Sequence, residues 1–169
     1  FPNSLSSFQF GGTSVTGDVT NWILPNSINN LFLIGGTKLT GNITNWVIPN
    51  SLASLDISST AISGDLSFWV LSSSIVYFNI GYTNIVGSAP QISAHATNAL
   101  NYNARSSNIS DSNTTVFRKA MTGYNVSNQN VAFSTANIDK LLKAIADWYQ
   151  VNAPTANCTF TLSGSKMGI

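Results

Sequence analysis

The chain contains no glutamate, one histidine and one cysteine, and its charge amounts to six aspartates against seven Lys plus Arg, a net of +1. Each shortage removes a class of function. Without clustered Lys and Arg there is nothing to neutralise a row of phosphates, so no nucleic-acid partner is expected. The same scarcity argues against attraction to an anionic membrane. Apolar runs are only a few residues long, so no segment is expected to cross a bilayer. The single Cys158 leaves no internal disulfide framework and reads as a small buried hydrophobe.

Catalysis needs a nucleophile, acid–base groups or metal ligands brought together. His95 stands in Ser93-Ala94-His95-Ala96 with no second histidine and no carboxylate close in sequence. A Ser–His95–Asp111 triad can be written down, but no G-x-S-x-G elbow or other local signature accompanies it. The chain is expected not to be an enzyme, and His95 reads as a turn residue. Asp18, Asn42 and Asp65 share a phase and could form an oxygen column. Donors stacked about 4.8 Å apart are too far separated to share one Ca²⁺ without added ligands. The column therefore reads as a polar turn ladder, and neither metal nor cofactor is expected.

What the chain has in abundance is small polar residues and repetition. Asn, Ser and Thr make up 61 of the 169 residues. The phrase Leu52-x-x-Leu55-x-Ile57-x-x-Thr60-x-Ile62-x-Gly64 recurs as Leu5/Phe8/Phe10/Thr13/Val15/Gly17, as Ile28/Leu31/Leu33/Thr37/Leu39/Gly41 and as Ile75/Phe78/Ile80/Thr83/Ile85/Gly87. The starts lie 23, 24 and 23 residues apart, and Ile34 is the extra residue of the second copy. Such periodicity makes a thin rod of stacked coils in which each coil touches only its neighbours. Each apolar phrase is expected to be a short strand, and the strands to stack into one parallel sheet on one face. The Thr hydroxyls are expected to bond the backbone of the adjacent coil, and Gly17, Gly41 and Gly64 to open turns.

Nine residues after the Thr of the first three copies comes Trp22, Trp46 or Trp69. One reading is a sugar-stacking stripe; the favoured one is a structural file, since residues at one phase stack and bury large area. Past Pro90 the consensus fades while the phase persists. Ala99/Tyr102/Ala104/Ser107/Ile109 reads as a fifth coil, Met121/Tyr124/Val126 as a sixth strand, and Ile92 and Val116 fall at the Trp phase. A helix is expected over about Ala136–Tyr149. Ile138, Leu141, Leu142, Ile145, Trp148 and Tyr149 line one side of it, and Asp139–Lys143 and Lys143–Asp147 the other. Ser134 or Thr135 caps the helix, and Asn152-Ala153-Pro154 ends it. Cys158–Gly164 reads as a seventh strand. The chain thus divides into regular repeats over 1–90, degenerate repeats over 91–133 and a closing helix-plus-strand repeat over 134–169. Phe1-Pro2-Asn3-Ser4 matches Leu24-Pro25-Asn26-Ser27, so both ends are expected to be cut from something longer. Asn42, Asn108, Asn113, Asn125 and Asn157 open Asn-x-Ser/Thr sequons, which matter only in a secretory pathway.

The phrase T-G-[DN]-[ILV]-[TS]-x-W-[IV]-[LI]-P-N-S-[LI], at Thr16–Ile28 and Thr40–Leu52 and more loosely at Ser63–Ile75, resembles tandem leucine-rich repeats of bacteriophage tail and receptor-binding proteins and of bacterial surface proteins. Ser134–Leu142 with Thr159–Gly164 looks like the closing coil of such arrays. The resemblance implies an α/β repeat solenoid: a right-handed leucine-rich-repeat coil stack with a parallel sheet on one face and one regular helix near the C-terminus. It implies display or binding on a virion or cell surface and carries no shared catalytic site. The sheet's outward columns are then the informative surface. One holds Gln9, Phe32, Asp56, Asn79, Asn103, Asn125 and Thr161; the other holds Ser7, Asn30, Ser54, Tyr77, Asn101, Gly123 and Thr159. These suit recognition of a host-surface glycan or polar protein face, or simply keep an exposed sheet soluble. Candidate contacts are Phe32, Asp56, Tyr77, Asn79, Asn103 and Arg105. A rival expectation is a structural subunit assembling into a filament or surface layer through the solenoid ends, a homo-oligomer built on bare strand edges.

Overall fold

The computed structural model describes residues 1–12, 14–35, 37–92, 100–111, 121–127, 135–152 and 159–161. Among them the chain is a parallel-strand β-solenoid with one helix. Seven strands form the main sheet in chain order: β1 (Ser7–Phe10), β3 (Asn30–Leu33), β5 (Ser54–Asp56), β8 (Tyr77–Asn79), β11 (Leu100–Asn103), β13 (Met121–Asn125) and β14 (Thr159–Thr161). Every pairing is parallel, and apart from an irregularity where Leu100 pairs with Met121 the register is the one the repeat phase predicts. Gln9 pairs with Phe32, Phe32 with Asp56, Asp56 with Asn79, Asn79 with Asn103, Asn103 with Asn125 and Asn125 with Thr161.

Like side chains consequently lie over like. Leu31, Leu55, Phe78, Tyr102 and Tyr124 form a fully buried file down the centre of the sheet's inner side, flanked by Leu33, Ile57, Ile80, Ala104 and Val126. Removing that apolar area from water is the main force closing each coil. Trp22, Trp46 and Trp69 make a second file, with ring centroids 6.3 and 6.5 Å apart and planes 8° and 14° from parallel. The indole N–H of Trp46 donates to the carbonyl of Val19, and that of Trp69 to Thr44. The file is a structural stack: Trp46 and Trp69 are buried and Trp22 partly so.

The glycine-bearing phrase is where the structure departs most from expectation. Gly17, Gly41 and Gly64 lie in strands, not turns. β2 (Thr16–Asp18), β4 (Lys38–Asn42), β6 (Ala61–Asp65), β9 (Asn84–Ser88) and β12 (Asn108–Asp111) form a second parallel sheet, and β7 (Val70–Leu71) with β10 (Gln91–Ile92) a small third one. Glycine is needed there for space as well as φ. At Gly41 (φ 133°) a Cβ would lie 2.6 Å from Asp18 Oδ1 and 2.8 Å from the Thr20 nitrogen; at Gly64 (φ 152°) it would lie 2.9 Å from the Thr44 nitrogen.

The turn hydroxyls also act differently. Thr60 donates to Ile57, Thr83 to Ile80 and Ser107 to Ala104, each within its own coil, while Thr13 lies outside the described residues. In the second coil, lengthened by Ile34, the buried Thr37 hydroxyl has no partner. Bonds between coils come from other residues. Ser27 and Ser51 donate to the carbonyls of Leu5 and Ile28. The hydroxyls of Thr20, Thr44 and Ser67 accept the backbone N–H of Asn42, Asp65 and Ser88.

Helix α1 (Thr135–Asn152) is the crossover from β13 to β14, the length of connection that parallel neighbours require. Its apolar face is narrower than its pattern. Leu141 is buried and Ile145 packs on the core, whereas Leu142 and Tyr149 are more than half exposed. Lys143 pairs with Asp147 at 3.0 Å. Ile92 registers with Leu71, not with the Trp file, because Gln91 pairs with Val70. His95, Val116, Ser134, Pro154 and Cys158 lie outside the described residues. No helix among the described residues is long and apolar enough to cross a membrane.

Candidate functional site

The sheet's outer side presents its two columns at one position per coil, about 4.8 Å apart. Most of the amide and carboxylate column is occupied by local bonds. Asp56 Oδ1 accepts the N–H of Ser58, Asn79 Oδ1 that of Gly81, Asn103 Oδ1 that of Arg105 and Asn125 Oδ1 that of Ser127. Each closes the turn after its strand, the usual work of a short polar side chain two residues upstream. Asn103 and Asn79 are thus turn formers first, and their acceptor oxygens are committed.

Asp56 does more. Its second oxygen accepts the Tyr77 hydroxyl at 3.0 Å and the Asn79 amide at 3.0 Å, and that amide also lies 3.3 Å from the Tyr77 hydroxyl. Burial raises the Tyr77 pKa above the ordinary phenol value, with the Asp56 charge adding to the effect. Asp56 is 7% exposed, and among the described residues the one ion pair is Lys143–Asp147, so no described Lys or Arg pairs with it. With it, Gln9, Phe32, Ile34 and Tyr77 line a shallow, open recess of about 320 Å³. Of the sequence candidates, Phe32, Asp56 and Tyr77 are brought together here, with Asn79 bonded to the carboxylate at its base.

Arg105 does not line this recess. It follows β11 in the turn, where its guanidinium lies 5.4 Å from the ring centroid of Tyr82, a residue held at φ 57°. Sequence reasoning did not single out Gln9 and Ile34 as contacts; the extra residue of the second coil was the one signal for Ile34. A second recess, about 290 Å³, opens where Gly123 has no side chain, between Asn101, Asn103, Asn125 and Thr159.

Asp18, Asn42 and Asp65 form the polar ladder expected of them, each oxygen accepting the N–H two residues on. The hydroxyl and then the N–H of Thr20 lower the Asp18 pKa, and those of Ser67 lower that of Asp65. Among the described residues no three His, Cys, Asp or Glu side chains converge as a metal site would require. Beside the Trp file, Ile23, Val47 and Phe68 are 84, 83 and 87% exposed, and Val47, Phe68 and Val70 line one apolar ridge and its shallow recess, with Ile23 at the same phase one coil before Val47. Comparison with known protein families, characterised proteins and solved structures finds no match.

Proposed function

We propose that this chain is a leucine-rich-repeat recognition region, non-enzymatic and part of a larger virion or cell-surface protein. A phage tail or fibre component that meets a host-surface glycan or protein is the setting that fits its repeat phrase. The observation that carries this reading is the recess around Asp56. Phe32 and Tyr77 stand partly exposed on a face otherwise made of small polar groups, and the Tyr77 hydroxyl is bonded to a carboxylate. Because each strand is bonded to its neighbours, binding there orders few additional side chains, which lowers the entropic cost of association. A glycan array tests the reading. The intact chain should give discrete positive glycans, and Phe32→Ala or Tyr77→Ala should lose them with unchanged unfolding midpoints. Unaltered signals in both variants would remove the recess from the binding surface.

Structural assembly is the second reading, and the apolar ridge favours it. Ile23, Val47, Phe68 and Val70 present on the order of 500 Å² of apolar surface, near the upper end of what a monomer leaves bare. That arrangement suits side-by-side contact of copies better than end-to-end growth. Sedimentation of the chain and of Phe68→Asp distinguishes the two, since only lateral assembly predicts a mass that falls in the variant.

A further inference from the structure

We propose that the recess on the main sheet takes a protonated amine, specifically the free amino group of an aminohexose unit in a glycan. This rests on the recognition reading above and names the ligand class for that site. A carboxylate offers about four acceptor positions, and Asp56 has three filled, by the N–H of Ser58, the hydroxyl of Tyr77 and the amide of Asn79. All three donors are neutral. Among the described residues no cation meets the carboxylate, and one acceptor direction is unused. Hydrogen bonds from neutral donors hold the carboxylate in place, and a cationic donor is the partner that forms the strongest additional hydrogen bond to it.

The walls select for the same chemistry. Phe32 pairs with Asp56 across adjacent strands, and Tyr77 sits one strand further on, bonded to it, so aromatic rings border the carboxylate on two sides. The electron-rich face of an aromatic ring attracts a cation, and its apolar surface accepts the C–H face of a sugar ring. The recess of about 320 Å³ lies at the small end of ligand sites and suits a single ring, not an extended chain. Gln9, exposed at the rim, adds an amide for ring hydroxyls. An N-acetylated sugar loses the charge and adds bulk, so the free amine is the discriminating feature.

Isothermal titration of the full chain with a trisaccharide of β-1,4-linked glucosamine tests this. Cellotriose, the N-acetylated trisaccharide and choline serve as comparators. The glucosamine trisaccharide should bind at least tenfold tighter than any of the three. Asp56→Asn should lose at least tenfold, Phe32→Ala several-fold, and Tyr77→Phe, which keeps ring and charge, should bind within about threefold of the parent. Where Asp56→Asn does not fold, Phe32→Ala and Tyr77→Phe decide. Equal binding of charged and neutral sugars, or choline matching the trisaccharide, overturns the assignment. Absence of amine binding alongside a positive array sensitive to Phe32→Ala sinks this inference and leaves the recognition reading standing. Silence in both experiments sinks both.

Discussion

Coils two and three and the coils from Phe78 onward fill the same cross-section in different ways. In the earlier coils the strand centres are Leu31 and Leu55, and the large rings stand in the second file as Trp46 and Trp69. From Phe78 onward the rings move to the strand centre, where Phe78, Tyr102 and Tyr124 stack with centroids 5.4 and 5.3 Å apart. Gln91, directly after Pro90, then pairs with the residue that follows Trp69. Ring stacking between coils is kept while the position of the ring changes. The two stacks differ in how they treat their polar atoms. The indoles of Trp46 and Trp69 donate to the preceding coil, whereas the Tyr102 hydroxyl is buried without a partner. Burial also pushes the Tyr102 pKa well up. A close-packed interior thus constrains volume more tightly than it constrains which residue supplies it.

That contrast can be broken in several places. Trp46→Ala should cost about 3–5 kcal/mol in urea unfolding, since it leaves a cavity and frees a carbonyl of the neighbouring coil; a loss under about 1 kcal/mol would mean the Trp file is ornamental. Gly64→Ala should cost about 2 kcal/mol or more, because the new Cβ meets backbone in a region of φ that side chains avoid. Gly123→Ala, whose Cβ would sit 3.5 Å from Asn101 at ordinary contact, should stay within about 0.5 kcal/mol of the parent. Equal effects at the two glycines would erase the distinction between the sheets. Tyr102→Phe should be neutral or stabilising by up to about 1 kcal/mol, since it removes an unpaired buried hydroxyl and keeps the ring.

Acid should act on the Asp18–Asn42–Asp65 ladder. The folded-state pKa values of Asp18 and Asp65 are lowered, so their contribution is complete above the unfolded carboxyl value, about 3.9, and drains as pH falls through the folded values. Asn42 fills the same place without charge. The double variant Asp18→Asn, Asp65→Asn should therefore unfold with a shallower dependence on acid, measured as midpoint against pH below about 4; an unchanged slope would exclude the ladder as its source.

Strand register was legible in the repeat because an inward Leu every 23 or 24 residues leaves one alignment that buries all of them. The second sheet was not. Thr16-Gly17-Asp18 and its copies are poor strand formers by composition, and bonds from the adjacent coil override that preference. Pro154 signalled that the helix stops nearby, but the pattern ended it at about Tyr149 where the structure carries it to Asn152, and how much of its face is covered depends on packing that periodicity does not encode. Phe32 and Tyr77 stood out in sequence as aromatics in polar columns. The bonds tying Asp56 to Tyr77 and Asn79 did not, since they join residues 21 and 23 positions apart. Arg105 lies in the turn after β11, a position the pattern does not distinguish from the strand's end.

Disulfide trapping at register-paired positions tests most directly whether both regions obey one coil rule. In a Cys158→Ser background, Asn30→Cys with Ser54→Cys probes the first region and Asn101→Cys with Gly123→Cys the second. Paired parallel strands bring such residues to about 4.8 Å, inside the range a disulfide spans. Both pairs should close to an intramolecular bond under mild oxidation. Closure of the first pair alone would mean that the stack does not continue past the Trp-bearing coils, and would contradict the account.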